Sequence, residues 1–382
     1  MGRERGGVPG VNAIQLENQK PGTPQSVWQI PPGADPQLIQ GFTTSISTNV
    51  GGTVNFKINN QTGNANYSIN IYRLGYYGGD GATLVTTLQH QATSAVIQPA
   101  PLTDPSTGIV DAGNWSVTDS WTVPTTATSG VYIANVIDGS QVFQIPFVIR
   151  NDSSTSNIVF QTADETWQAY NLWGGSNLYA GYGPGISGSA YAVSYNRPIT
   201  TRDANGVPGG ATSNDMLFGA EYSAIYWLEE NGYDVSYLSG IDVATNGSLL
   251  LNHKVYMDAG HDECWTDSQR ANVQAAADAG VNLVFMSGNE VFWQTRLAPS
   301  IDGSGSANRT LVSYKDTHAN RLIDPTGRAT RTFMDARFAS TGGMSGSGAL
   351  VPHSEAASLT RTDTVREWSI IAGYPQWTCH GW

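Results

Sequence analysis

Lysine is nearly absent: Lys20, Lys57, Lys254 and Lys315 are all of it in 382 residues. Charge as a whole is thin, at 13% of the chain, and it leans acidic, with Lys+Arg 19 against Asp+Glu 31 for a net −12. A phosphate backbone would meet net repulsion rather than release counterions, so no nucleic-acid partner is expected. Cysteine is limited to Cys264 and Cys379. That excludes a multi-disulfide scaffold and a cysteine-based structural zinc site; the pair reads as free thiols, with a single bridge as the other option. No run approaches the ~18–20 apolar residues that a spanning helix requires, so no membrane span is expected. The phosphate cradle G-x-x-x-x-G-K-[ST] is missing, and no G-x-G-x-x-G joins a strand to a helix, which leaves nucleotide cofactors without support.

What is present is 43 Gly, 18 Pro, 40% hydrophobic and 10% aromatic residues. This is the composition of a loop-rich globular chain with material for more than one core. A surface poor in Lys and rich in Ser, Thr, Asn and Gly is the style of exported bacterial proteins. The opening MGRERGGVPG has no apolar secretion-signal centre, so the expectation is an extracellular or periplasmic protein whose leader lies outside this chain, with the cytoplasm as the alternative.

The pattern predicts an α+β multidomain chain. Residues 1–40, with five prolines between Pro21 and Pro36, read as an extended arm. Residues 41–150 carry about seven alternating segments: Thr43–Val50, Thr53–Asn59, Tyr67–Leu74, Thr93–Gln98, Trp115–Val123, Gly130–Asp138 and Gln141–Ile149. They fit an immunoglobulin-like sandwich without its cysteine pair. GYYGGDGA inside it reads as a hairpin turn. The polar stretch Arg150–Asn157 is the expected joint, crossed by few contacts. From 157 to 382 strands alternate with helices: Ile158–Gln161, a helix over Met216–Asn231, Val235–Leu238, Lys254–Ala259, a helix from Asp267 capped by Thr266, and Val281–Met286. That wiring predicts a Rossmann-like, mostly parallel sheet with its ligand site beyond the carboxyl ends of the strands.

Three segments at expected strand ends carry oxygen or imidazole groups: TADETWQAYNLWGGSNLY (162–179), GHDECW (260–265) and SGNE (287–290). If the last two end adjacent strands, His261, Asp262, Glu263, Asn289 and Glu290 converge over one crevice. The plainer alternative is that His261 and Glu263 serve the helix start at Thr266 and that Tyr170 and Tyr179 are half-buried core tyrosines. Cys264 beside His261 invites a thiol-nucleophile reading, but no orienting third group can be named.

These segments resemble the large (beta) subunit family of N,N-dimethylformamidase. The likeness runs through ENQKPGTP, IYRLGYYGGDGA, TWQAYNLWGGSNLY, VSYNRP, YWLEENGYDVSYL, GHDECW and SGNEVFWQTR. The resemblance implies a mononuclear Fe(III) held by two tyrosines and a glutamate: Tyr170, Tyr179 and Glu263, with Tyr182 and Tyr195 as alternatives for the second tyrosine. His261 and Asn289 would stand behind the ligands in catalytic roles. It also implies hydrolysis of the C–N bond of a small amide and a small companion subunit or homo-oligomer. A further acidic active-site residue is expected beyond the end of this chain, as in a truncated domain. Two phenolates and a carboxylate supply three hard anionic oxygens, a set that suits ferric iron better than zinc. The competing reading is a non-catalytic extracellular module that binds carbohydrate or a cell surface through exposed aromatics.

Overall fold

The computed structural model describes residues 10–201 and 216–333. Cys379, singled out in the sequence, lies outside the described residues.

The predicted arm is partly helical. It holds α1 (Ala13–Glu17), started by an Asn12 capping box, and α2 (Gln25–Trp28). Trp28 is fully buried, and the Asn135 and Gln144 side-chain amides donate to its carbonyl at 2.8 and 2.7 Å. The prolines therefore punctuate a segment that packs as part of the core.

Ten strands come next: β1 (Ile39–Thr43), β2 (Ser47–Asn49), β3 (Thr53–Asn60), β4 (Tyr67–Leu74), β5 (Ala82–His90), β6 (Leu102–Asp104), β7 (Ile109–Asp111), β8 (Asp119–Thr122), β9 (Gly130–Asp138) and β10 (Gln141–Arg150). One sheet runs β1-β3-β8 and the other β2-β10-β9-β4-β5, antiparallel except where β2 lies parallel on β10. Inward residues of both, among them Phe56, Ile71, Trp121, Tyr132 and Phe147, form one apolar cluster. The predicted strand at 93–98 does not form; Ala82–His90 takes that role instead. A bulge at Ile71/Tyr72 and a largely exposed outer half disturb its alternation, as on an edge strand. GYYGGDGA is the β4–β5 turn, where Gly78, Gly79 and Gly81 all adopt positive φ.

The remaining elements are β11 (Ile158–Thr162), α3 (Asp164–Tyr170), β12 (Ala192–Ser194), α4 (Glu221–Glu230), β13 (Val235–Ser239), α5 (Gly240–Thr245), β14 (Val255–Gly260), β15 (Cys264–Thr266), α6 (Asp267–Asp278), β16 (Asn282–Ser287), β17 (Trp293–Ala298), β18 (Thr310–Val312) and α7 (Asp316–Ala319). Helix α4 is shorter than expected, because residues 216–219 form a turn ahead of it. A parallel sheet has the order β13-β11-β14-β16, and a second, mixed sheet runs β12-β18-β17-β15. The fold is thus mixed α and β, with several sheets, some of them parallel, and few helices.

Strand order reverses at β11, whose neighbours β13 and β14 lie on opposite sides. The carboxyl ends of β11 and β14 therefore flank the crevice that such reversals open. Contacts across the polar joint are many rather than few. The largest apolar cluster takes Trp28, Tyr72, Leu74 and Ile133 from the N-terminal side of the joint and Phe160, Trp167, Leu217 and Tyr237 from its C-terminal side. Arg73 on β4 also donates to Glu229 on α4 at 2.8 and 2.7 Å, both side chains fully buried.

Candidate metal centre

Helix α3 starts just past the end of β11 and delivers Tyr170 as its last residue. The chain then loops back through Asn177, a buried residue that fixes the return. Its amide donates to the Tyr170 carbonyl at 2.8 Å and its side-chain oxygen accepts from the Tyr179 and Ala180 backbone N–H groups, each at 2.8 Å. The two tyrosine rings end stacked, 4.1 Å between centroids and 14° between planes.

Glu263 comes from the turn after β14. Gly260 takes φ 92° there, a conformation open to glycine, and lets the chain leave the sheet edge. The Glu263 N–H donates to Thr166 Oγ1 on α3 at 3.2 Å, and its carbonyl accepts from Trp293 N at 2.7 Å. Its side chain meets three donors. Tyr170 Oη lies 2.6 Å from Oε1, Tyr179 Oη donates to the same oxygen, and Asn289 Nδ2 lies 3.2 Å from Oε2. The structure therefore brings Tyr170, Tyr179, Glu263 and Asn289 together. Tyr195 is elsewhere, its hydroxyl on Asp164 at 3.0 Å, and Tyr182 is 94% exposed. His261 is half-buried on the same turn as Glu263.

Thr266 caps α6 through a full capping box with Gln269, as expected, but Glu263 plays no part in that helix start. Cys264 is buried, with Sγ 3.7 Å from Tyr179 Oη, and burial pushes its thiol well above its usual pKa. A nucleophilic cysteine needs the opposite shift, so the thiol reading is disfavoured. Burial first, and then the negative charge of Glu263, likewise hold the Tyr179 hydroxyl far above the usual phenol value. Without a cation it stays protonated and donates, as its bond to Glu263 shows.

The sequence did not single out Lys315. Its backbone is left-handed at φ 52°, and Asp316 pins the segment by accepting from Ile323 N at 2.6 Å and Thr330 N at 2.7 Å. The ammonium lies 3.2 Å from the Tyr179 ring centroid and 4.9 Å from that of Trp293. Burial lowers it to about 8, against the pull of the Glu263 carboxylate. Its one sequence signal is lysine scarcity, in a region with no readable period.

The five residues expected over one crevice divide. Glu263 and Asn289 face the tyrosines, whereas Asp262 and Glu290, their chain neighbours, are buried with Asp258, and one ligand oxygen from each of these three acids lies within 4.8 Å of the others. Burial pushes Asp258 up to about 7 and Asp262 and Glu290 well above the carboxylate range.

Among known families, the one described as N,N-dimethylformamidase beta subunit-like, C-terminal, matches residues 68–360. No curated protein matches the chain. Among solved structures, a Faecalibacterium prausnitzii beta-glucuronidase aligns with 65% of this chain at 12% identity and a TM-score of 0.15, and the chain spans 41% of that enzyme.

Proposed function

The chain belongs to the N,N-dimethylformamidase beta subunit-like family, and from that premise we propose that it is a metal-dependent amidohydrolase cleaving the C–N bond of a small amide. Tyr170, Tyr179 and Glu263 would hold a mononuclear Fe(III). The observation that carries this reading is the convergence of two tyrosine hydroxyls on a single carboxylate oxygen. Packing alone gives no reason to collect three acidic oxygens in a partly buried crevice, since each raises the pKa of the others. The donors fit the ion: all are hard, and their combined charge of −3 when ionised matches a trivalent cation.

When bound, ferric iron supplies Lewis acidity toward the amide carbonyl and toward water. The protein's own groups do the rest. Asn289 holds Glu263 by its free oxygen and fixes the carboxylate's direction. Lys315 and Tyr170 clamp the Tyr179 ring from its faces. His261, on the Glu263 turn, is the group that passes a proton to the departing amine.

We read the two-sheet module of residues 41–150 as immunoglobulin-like, residues 157–382 as a Rossmann-like domain and residues 1–40 as their attached arm. The Lys-poor surface supports an exported bacterial protein, and among the described residues no helix is long and apolar enough to cross a membrane. A companion subunit or second copy completes the assembly we envisage. The test is release of amine and carboxylic acid from a panel of small N-alkyl amides by the iron-loaded chain, abolished by chelation. Iron-loaded protein that releases neither from any member contradicts the reading and favours the non-catalytic binding module.

A further inference from the structure

Behind Glu263 and Asn289 lies a second group of acids that the proposed chemistry does not use. Asp258 sits on β14, Asp262 on the turn after it, and Glu290 after β16, the parallel neighbour of β14. Asp258 and Asp262 are wholly buried and Glu290 is 9% exposed. One oxygen of each aspartate is served from outside: Gln161 Nε2 donates to Asp262 Oδ2 at 2.5 Å, and Tyr256 Oη to Asp258 Oδ2 at 3.3 Å. Gln161 is itself set by Gln269 Nε2, which donates to its oxygen at 3.2 Å. The other four oxygens, Asp258 Oδ1, Asp262 Oδ1 and both of Glu290, are buried without a well-formed hydrogen bond among the described residues; Trp265 beside Asp262 and Ser287 beside Glu290 are the donors nearest to them, and Asp258 and Glu290 face each other.

We propose that Asp258, Asp262 and Glu290 bind a divalent calcium ion as a second, structural metal site, distinct from the one at Glu263. Unsatisfied buried carboxylate oxygens are costly unless a cation or protons neutralise them. The donor set is all oxygen, with no imidazole or thiolate, which selects a hard cation. Hydration then chooses among these. The three ligand oxygens lie within 4.8 Å of one another on side chains that are wholly or almost wholly buried. Mg²⁺ dehydrates reluctantly and usually keeps several waters, whereas Ca²⁺ takes protein carboxylates directly, at about 2.3–2.6 Å, so a buried all-carboxylate site suits calcium. Outer donors such as Gln161 and Tyr256 are the orienting partners that ligating carboxylates usually have. Because Asp262 precedes Glu263 and Glu290 comes directly after Asn289, an ion here would tie both loops of the front site from behind. The identity of the metal at Glu263 does not enter the argument.

The test is elemental analysis of the full chain expressed with supplemented Ca²⁺ and desalted, beside the Tyr170→Phe and Glu290→Gln variants, with thermal unfolding in EGTA and in added Ca²⁺. The expected result is one calcium per chain in the wild type and in Tyr170→Phe, none in Glu290→Gln, and a wild-type midpoint raised by Ca²⁺ over EGTA. Calcium absent from the wild type, with a midpoint indifferent to Ca²⁺, overturns the proposal and leaves the acids protonated. Calcium lost in Tyr170→Phe also overturns it, by placing the ion at the front site. If Glu290→Gln fails to fold, the wild type and Tyr170→Phe still decide.

Discussion

Tyr170 and Tyr179 lie ring on ring at 4.1 Å, and their hydroxyls end on the same oxygen of Glu263. A helix end and a tight return of the chain create this pairing, so the site depends as much on the residues that shape the return as on the three donors.

Asn177 is the first of these. Asn177→Ala removes three hydrogen bonds, two to backbone N–H groups and one to a backbone carbonyl. At the usual worth of buried hydrogen bonds this costs roughly 2–4 kcal/mol. Denaturant unfolding should show that loss, and metal content should fall with it, because Tyr179 is no longer held over Glu263. A variant with full metal content would show that the return loop holds its shape without Asn177.

His261 is assigned to proton transfer. His261→Ala should keep the bound metal and any visible band while amide hydrolysis falls by about 10²-fold or more. Loss of metal in step with activity would place His261 among the ligands instead.

One source of the pH dependence of stability is a buried acid away from the site. Glu221 accepts from Trp167 Nε1 at 2.5 Å and from Ala163 N at 3.3 Å, and burial raises it from 4.5 to about 8. Between those values the folded chain binds more proton than the unfolded chain, so this group's contribution is present at low pH and is lost as pH rises toward about 8. The slope is at most about 1.4 kcal/mol per pH unit. Glu221→Gln should flatten the fall in melting temperature across that window; an unchanged profile would show that Glu221 ionises freely in the fold.

Arg73 and Glu229 join the first sheets to α4 without exposure to water. Arg73→Met strands a buried carboxylate and should cost about 3–5 kcal/mol, and the double change Arg73→Met with Glu229→Leu should recover most of it. Equal losses in the single and double variants would mean that the ion pair itself, rather than the unpaired charge, accounts for the cost.

Elements with a clean local signal were legible from sequence. Thr266 and Gln269 announced the start of α6, and the wiring of β14, α6 and β16 placed GHDECW and SGNE at neighbouring strand ends. Helix α3 escaped because Asp164 through Ala169 are all buried, polar and apolar alike, so it has no solvent face against which a helical period could show. The sheet β12-β18-β17-β15 escaped because three of its strands have only three residues, too few to show alternation. The division of Asp262 from Glu263, and of Glu290 from Asn289, depends on which way successive side chains leave a turn, and composition holds no trace of that. The pairing of the tyrosines with Glu263 came to the sequence through family resemblance, since Asn177 and the stacked rings that produce it act only in three dimensions.

The most direct measurement is iron content together with the visible spectrum of the purified chain and of Tyr170→Phe. Phenolate bound to ferric iron absorbs visible light, so the wild type should be coloured and carry one iron per chain. Tyr170→Phe should lose the band and most of the iron while keeping its fold, as circular dichroism would show. A colourless, iron-free wild type after expression with added iron, or a band unchanged in Tyr170→Phe, would contradict the account.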